Sequence, residues 1–397
     1  MRIVKDNLGE AAKAAKSNMA LYHLGRTRKV HGMLSLVLAA ALLLALVGGQ
    51  PAASSPGGVT IPYGRSWPLS LAIDQSKGLV YFDATSGIYP PTGFSFGVIN
   101  ATSHLLVDAK PLDVVPGPVA FDSSMNRVFV AGSGSIEVFD AATRAFVGNI
   151  SVGLPILDMT FDSAVSKNLY FTSGGSVYEI SPTAGDVIAN ASVGKGAGGL
   201  VLDPANGNLY VADYLSDAIH VFTTSLAPVG TITTSSCCLT QLALNPGSQM
   251  LYATTGTNYV AIINAGAGTF VKTVAVAPSP QNATTELAVD GGSGRVFVSF
   301  SAGGAIAEMD PSGAVLGYLT VTSAPGGMGV DTSTGELFVT NYHQVTVFDA
   351  RLGLPVADYS RAVLFLLGAG VAAAVLVLVL KSSTWRYRNR GGQGATA

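Results

Sequence analysis

Between residues 57 and 358 the chain alternates short apolar bursts with short polar turns, and the alternation repeats. The segments LAIDQSKGLVYF, VAFDSSMNRVFV, MTFDSAVSKNLYF, LVLDPANGNLYV, LALNPGSQMLYA, LAVDGGSGRVFV and MGVDTSTGELFV share one plan. Each has an apolar run, an acidic or amide turn residue, and an aromatic-rich run. The turn residues are Asp74, Asp122, Asp162, Asp203, Asn245, Asp290 and Asp331, spaced by 48, 40, 41, 42, 45 and 41 residues. The runs are short, rich in Val, Ile, Tyr and Phe, and closed by Gly, Asn, Asp or Ser, which predicts strands. A third strand follows most copies (SIEVFD, SVYEIS, AIHVF, YVAIIN, AIAEMD, QVTVFD), and a fourth follows that (FVGNISVG, VIANASVG, PVGTITT, FVKTVAVA, VLGYLTVT).

Four strands per copy predict one propeller blade, and seven copies at this period predict a closed ring. A lone four-stranded sheet hides little apolar surface, so each blade needs a neighbour on both faces. The fold class is therefore all-β: a seven-bladed β-propeller of four-stranded antiparallel blades. The segment Val59–Tyr63 resembles the strand before the third copy and is predicted to complete blade 7 beside Gln344–Asp349. A competing assignment gives that outer position to LPVADY. Copy 1 carries an insertion, DATSGIYPPTGFSFG, from Asp83 to Gly97. The seven turn residues are read as hairpin residues, because Asp and Asn bond their own backbone in such turns. Calcium in DPANGN is the alternative use.

The LYVAD, VFV and LFVTN bursts ahead of a V-x-V-F-D strand resemble YVTN-type β-propeller repeats, and more loosely NHL repeats, over residues 57–358. That resemblance implies a prokaryotic, archaeal-type surface protein. It speaks for fold more than for function, because the motif residues are the packing residues. Copy 5, with Asn245 and IIN at 262–264, departs from the pattern.

Charge divides the chain into zones. Of its 397 residues 48% are apolar and 12% charged. Residues 1–32 carry seven Lys/Arg against two acids, residues 49–360 carry 22 acids against 10 Lys/Arg, and residues 381–397 carry four Lys/Arg and no acid. Two apolar segments separate the zones, Met33–Gly49 and Ala362–Leu380. The second has 19 uncharged residues, about 28 Å of helix, which spans a bilayer core. Trp385 and Tyr387 fall at its interface. The first is read as a signal anchor or a cleaved signal peptide (33–49). Basic flanks stay inside. The organisation is then a cytoplasmic segment 1–32, the apolar segment 33–49, an extracellular propeller 50–360, a transmembrane helix 361–380 and a cytoplasmic tail 381–397.

Catalytic patterns are thin. The outer zone has three histidines, His104, His220 and His343, and no zinc motif, nucleophile elbow or phosphate loop. No cofactor or metal is expected. The acidic outer zone argues against nucleic acid, which needs clustered Lys/Arg. Cys237-Cys238 admits two readings, a vicinal disulfide or two free thiols. Asn100, Asn149, Asn190 and Asn282 head N-x-Ser/Thr sequons, candidates for N-glycosylation.

Binding is favoured over catalysis. The loops before first strands and between second and third strands gather on one face of a propeller. There they would carry Arg65, Trp67, Tyr89, Phe94, Asp213, Tyr214, Asp217, the cysteine pair, Asn341, Tyr342 and His343. Aromatics beside acids and amides suit sugar or peptide contact. The expected role is recognition or scaffolding of surface proteins or glycans at a membrane. The alternatives are an extracellular lyase or lactonase, and a subunit of a membrane complex whose Gly368/Ala372 and Gly370/Ala374 pairs seat a partner helix.

Overall fold

The computed structural model describes residues 58–64, 66–86, 93–277, 283–351 and 354–355. The two apolar segments and both basic ends lie outside them. No helix long and apolar enough to cross a membrane occurs among the described residues. Their strands form seven antiparallel sheets, one per sequence copy.

Blade 1 comprises Ser66–Asp74, Leu79–Ser86, Gly93–Asn100 and Leu105–Leu112. Blade 2 comprises Val119–Asp122, Arg127–Ala131, Ser133–Asp140 and Phe146–Pro155. Blade 3 comprises Asp158–Phe161, Leu169–Ser173, Ser176–Ser181 and Asp186–Ser192. Blade 4 comprises Ala197–Leu202, Asn208–Asp213, Ala218–Thr223 and Pro228–Thr233. Blade 5 comprises Leu242–Asn245, Met250–Thr254, Tyr259–Asn264 and Thr269–Ala275. Blade 6 comprises Thr284–Val289, Val296–Phe300, Ala305–Met309 and Val315–Thr320. Blade 7 takes Met328–Asp331, Glu336–Asn341 and Gln344–Asp349 from the end of the repeat region.

The fourth strand of blade 7 comes from both ends of the described chain. Val59–Pro62 pairs with Gln344–Val347, and Leu354–Pro355 pairs with Phe348 and Asp349. The first assignment therefore holds over Val59–Pro62, four positions, and of LPVADY the described Leu354–Pro355 takes the other two, with residues 356–359 outside the described residues. The seam has a counterpart elsewhere. In blades 1 to 6 the third and fourth strands slip register at the same place, for example between Val138 and Phe139 in blade 2 and between Val221 and Phe222 in blade 4. The equivalent step in blade 7 is Val347 to Phe348, where one chain end gives way to the other.

Seven apolar clusters hold the ring, and each joins two successive blades. The cluster that joins blade 7 to blade 1 contains Ile61, Phe82, Ile99, Phe338 and Val347. Burying both faces of every small sheet supplies the driving force that one blade lacks. The aromatic bursts also carry a polar device. Tyr81, Tyr170, Tyr210 and Tyr252 are buried at one position of the second strand. Their hydroxyls donate to carbonyls of the next blade, Ala141 (3.4 Å), Thr224 (2.5 Å), Ala265 (3.3 Å) and Pro311 (3.0 Å). Blades 2, 6 and 7 place Phe129, Phe297 and Phe338 there.

The turn residues act as hairpin residues. Asp122 Oδ1 accepts the Ser124 amide at 2.7 Å, and Asp162 accepts the amides of Ala164, Val165 and Ser166 at 2.9, 3.0 and 2.7 Å. Asn245 does the same for Gly247 and Ser248. Among the described residues no group of three or more His, Cys, Asp or Glu side chains is placed to hold a metal. The insertion in copy 1 is mostly strand. Blade 1 extends its second strand to Ser86 and starts its third at Gly93, so Phe94 stands in a strand rather than a loop.

Candidate binding site at the channel mouth

The seven inner strands border a central cavity of about 340 Å³ to which every blade contributes. One position dominates its chemistry, four residues before each turn residue. Its occupants are Ser70, Pro118, Asp158, Gly199, Gln241, Glu286 and Gly327, in blade order.

The local structure explains why side chains here can leave the ladder. The inner strands of blades 1, 4 and 6 slip register near this position. A polar residue of the second strand takes up the freed amide. Ser70 N–H donates to Asp83 Oδ1 (2.6 Å), Gln241 N–H to Thr254 Oγ1 (2.9 Å), and Glu286 N–H to Ser299 Oγ (3.0 Å). Neighbouring blades are tied at the same level. Val119 N–H donates to Ser70 Oγ (3.0 Å), Leu200 N–H to Asp158 Oδ2 (2.9 Å), and Gly199 N–H to the Thr240 carbonyl (2.5 Å). Gly327 N–H reaches the Leu69 carbonyl.

Three of the ring side chains define the site. Asp158, Gln241 and Glu286 come from blades 3, 5 and 6 and border one cavity. Burial raises the Glu286 carboxyl to about 8, the charge of Asp158 adds to the rise, and the Gln241 amide opposes it. Burial raises Asp158 to about 6 against the pull of the Leu200 and Met159 amides. Near neutral pH the pair therefore holds one proton on Glu286 and one charge on Asp158. The cavity then offers a carboxylic acid and an amide as donors beside a carboxylate acceptor. Gly199 makes room for this arrangement, since a Cβ there would meet Gln241 Oε1 at 2.5 Å.

Whereas Asp158 and Glu286 are half-buried where they line the cavity, Asp83 nearby is fully buried. Five of the other six blades have Thr172, Ala212, Thr254, Ser299 and Thr340 at its position, and blade 2 has Ala131. Burial lifts its carboxyl to about 8, with the Ser70 amide opposing. Its Oδ2 is buried without a hydrogen-bond partner.

Trp67, Tyr342 and His343 meet where blade 7 joins blade 1. The Trp67 and Tyr342 rings are 4.8 Å apart at 65°, and the Tyr342 and His343 rings 3.6 Å apart. His343 Nδ1 donates to the Ser66 carbonyl (3.2 Å), and the Tyr63 amide donates to the His343 carbonyl (2.7 Å). Asn341 is buried and donates to Thr346 Oγ1 (3.1 Å). Trp67 stands two residues before Leu69, which lines the cavity.

Other sequence candidates do structural work or stand apart. Phe94 packs half-buried against the cluster between blades 1 and 2. Asp213 is buried, and its Oδ1 accepts the Gly196 and Leu215 amides at 3.1 Å each, pinning two loops together. Tyr214 and Asp217 are exposed. Cys237 and Cys238 are exposed free thiols with sulfurs 2.9 Å apart. Asn149 and Asn190 are exposed on outer strands, while Asn100 is half-buried and accepts the Ser103 amide (2.8 Å). Arg65, Tyr89 and Asn282 lie outside the described residues.

The acid pair in the channel escaped the sequence reading. The signal was present in the column that the repeats do not share: Ser, Pro, Asp, Gly, Gln, Glu, Gly. Aligning copies by their similarities passes over such a column. No protein-family model matches the chain, and no curated protein matches it significantly. The resemblance to YVTN-type repeats therefore rests on the repeat residues themselves.

Proposed function

We propose that this protein is a membrane-anchored recognition module, with its propeller displayed outside the cell and both basic ends in the cytoplasm. It receives a cationic or hydroxyl-bearing group of a surface protein or glycan in the channel mouth. The observation that carries this reading is the convergence of Asp158, Gln241 and Glu286 on one cavity. An uncompensated carboxylate beside two donors suits a ligand that brings its own positive charge or hydroxyls. The aromatic group of Trp67, Tyr342 and His343 offers faces for sugar rings or peptide side chains at the same end. The basic flanks and the apolar segments Met33–Gly49 and Ala362–Leu380 support the anchored topology.

The test is binding of the full chain to an array of oligosaccharides and lysine-bearing peptides, with and without Asp158→Asn and Glu286→Gln. Hits that lose binding in the double variant support the reading. Hits that are indifferent to it move the site elsewhere.

A second reading, an extracellular lyase or lactonase, draws on the same pair. Two carboxyls whose environments hold one protonated and one charged are a common arrangement for acid–base work. Turnover of a lactone panel that vanishes in Glu286→Gln would favour it over simple binding.

A further inference from the structure

The outer strands carry a feature that neither the channel nor the packing requires. In each of blades 1 to 6 one residue is skipped where the third and fourth strands slip register. The skipped residues are Val107, Val147, Ile188, Val229, Val271 and Leu316. All six are aliphatic, and they are 44%, 51%, 52%, 55%, 50% and 52% exposed. A bulge at an edge strand is an ordinary way to discourage pairing with another sheet. It sets no demand that the extra residue be apolar, and a solvated rim would favour a polar one.

The chain ends point to what covers part of this rim. Val59 and Pro355 sit side by side on the outer edge of blade 7, opposite Val347 and Phe348. From Pro355 the sequence reaches the uncharged run beginning at Ala362 in seven residues, a span of at most about 25 Å. From Gly49 to Val59 it is ten residues, at most about 36 Å. If both apolar segments enter one bilayer, the edge of blade 7 is held close to it by two short tethers. The flanking outer strands then face the same surface. Blade 1 presents Leu105, Leu106 and Val107 there, and blade 6 presents Leu316 and Tyr318 from a strand without a charged residue. Blade 1 also carries Lys110 and Asp108, paired with each other at 3.2 Å. The exposed sequon residue Asn190 belongs to blade 3, on the opposite side of the ring from blade 7, and Asn149 to blade 2, the neighbour of blade 1.

We infer that the rim of blades 6 and 1, on either side of the blade 7 seam, rests on the lipid surface, so that the propeller stands on its edge. Exposed aliphatic side chains suit the headgroup boundary, while the Tyr318 hydroxyl donates to the Val276 carbonyl (3.1 Å) towards blade 5. This placement rests on the anchored topology proposed above, and the experiment separates the two.

The full chain carrying Cys237→Ser and Cys238→Ser is reconstituted in phosphatidylcholine vesicles. A single cysteine is introduced by Val107→Cys or Leu316→Cys on the near side, or by Ile188→Cys or Val229→Cys on the far side, in blades 3 and 4, and labelled with an environment-sensitive fluorophore. All four are bulge positions of similar exposure, so each controls for folding of the others. The expected result is loss of fluorescence at 107 and 316 with a lipid bearing a nitroxide near its headgroup, and quenching by aqueous iodide at 188 and 229. Equal iodide access at all four sites overturns the inference. Iodide protection at 107 and 316 without lipid quenching also overturns it, and assigns the rim to a second copy. Release of the chain by alkaline carbonate defeats the anchored topology itself, whereas a retained chain with a wet rim defeats only the edge-on placement.

Discussion

Two rings of side chains lie along the inner strands, and they obey different rules. The turn ring holds six aspartates and Asn245, and each answers the same local demand by accepting amides of its own hairpin. The mouth ring, four residues earlier, holds seven occupants of six kinds. The electrostatics diverge as well. At Asp162 burial pushes the carboxyl up, but the Ser166, Val165 and Ala164 amides and the Ser166 hydroxyl outweigh it and hold the group below its ordinary value. At Asp158 and Glu286 burial wins. In a repeat protein, a column that the copies nearly all share maintains the architecture, and a column that varies from copy to copy is free to carry chemistry.

Substitutions in the two rings should have unequal effects. The largest effect is expected in the turn ring. Asp162→Ala removes an acceptor for three amides and a hydroxyl, and should cost about 2–3 kcal/mol in urea unfolding. A loss as small as that of a surface substitution would erase the contrast between the rings.

Asp83→Thr installs the residue found in blades 3, 5 and 7 and keeps an acceptor for the Ser70 amide. It removes a buried oxygen without a hydrogen bond, so a gain of about 1–3 kcal/mol is expected at pH 8. The gain should shrink as pH falls to 4 and below, where the acid becomes neutral in both folded and unfolded chains.

The wild-type chain should itself lose stability with rising pH. Asp83 and Glu286 keep their protons in the folded state up to about 8. Unfolded Asp and Glu lose theirs near 4. The unfolded state therefore binds fewer protons across this window, and stability falls from about pH 4 to pH 8. Scanning calorimetry should show a lower melting temperature at pH 8 than at pH 5, by roughly 2–4 °C per kcal/mol. Glu286→Gln should flatten the slope. A melting temperature that rises across this range would contradict the burial of these acids.

The smallest effects test packing against polarity. Tyr252→Phe matches blades 2, 6 and 7 and loses one hydrogen bond to Pro311, for about 1 kcal/mol. Asp158→Asn keeps an acceptor for the Leu200 amide and removes a carboxylate whose charge burial disfavours, so near pH 7 it should not destabilise the fold, while altering whatever binds in the channel.

Much of the fold was legible because it repeats. The turn acids, the aromatic bursts and the Val59–Pro62 closing strand follow from columns that recur seven times. The site was less legible for the same reason. Asp158, Gln241 and Glu286 share a column but not a residue type, and nothing in any one copy marks them. Trp67 and Tyr342 lie far apart in sequence and meet only through ring closure. Phe94 read as loop because the insertion in copy 1 lengthens a hairpin instead of leaving the sheet.

The seam in blade 7 falls where every other blade already interrupts its own ladder. Entering and leaving the ring there forfeits no pairing that an unbroken strand would have kept. The ring consequently has no privileged first blade. Splicing Pro355 to Gly58 and cutting the chain at the bulge of blade 3 would yield a permuted protein with every packed face intact. Its exits would open on the opposite side of the circle, and any membrane tether attached to them would hold the molecule the other way round.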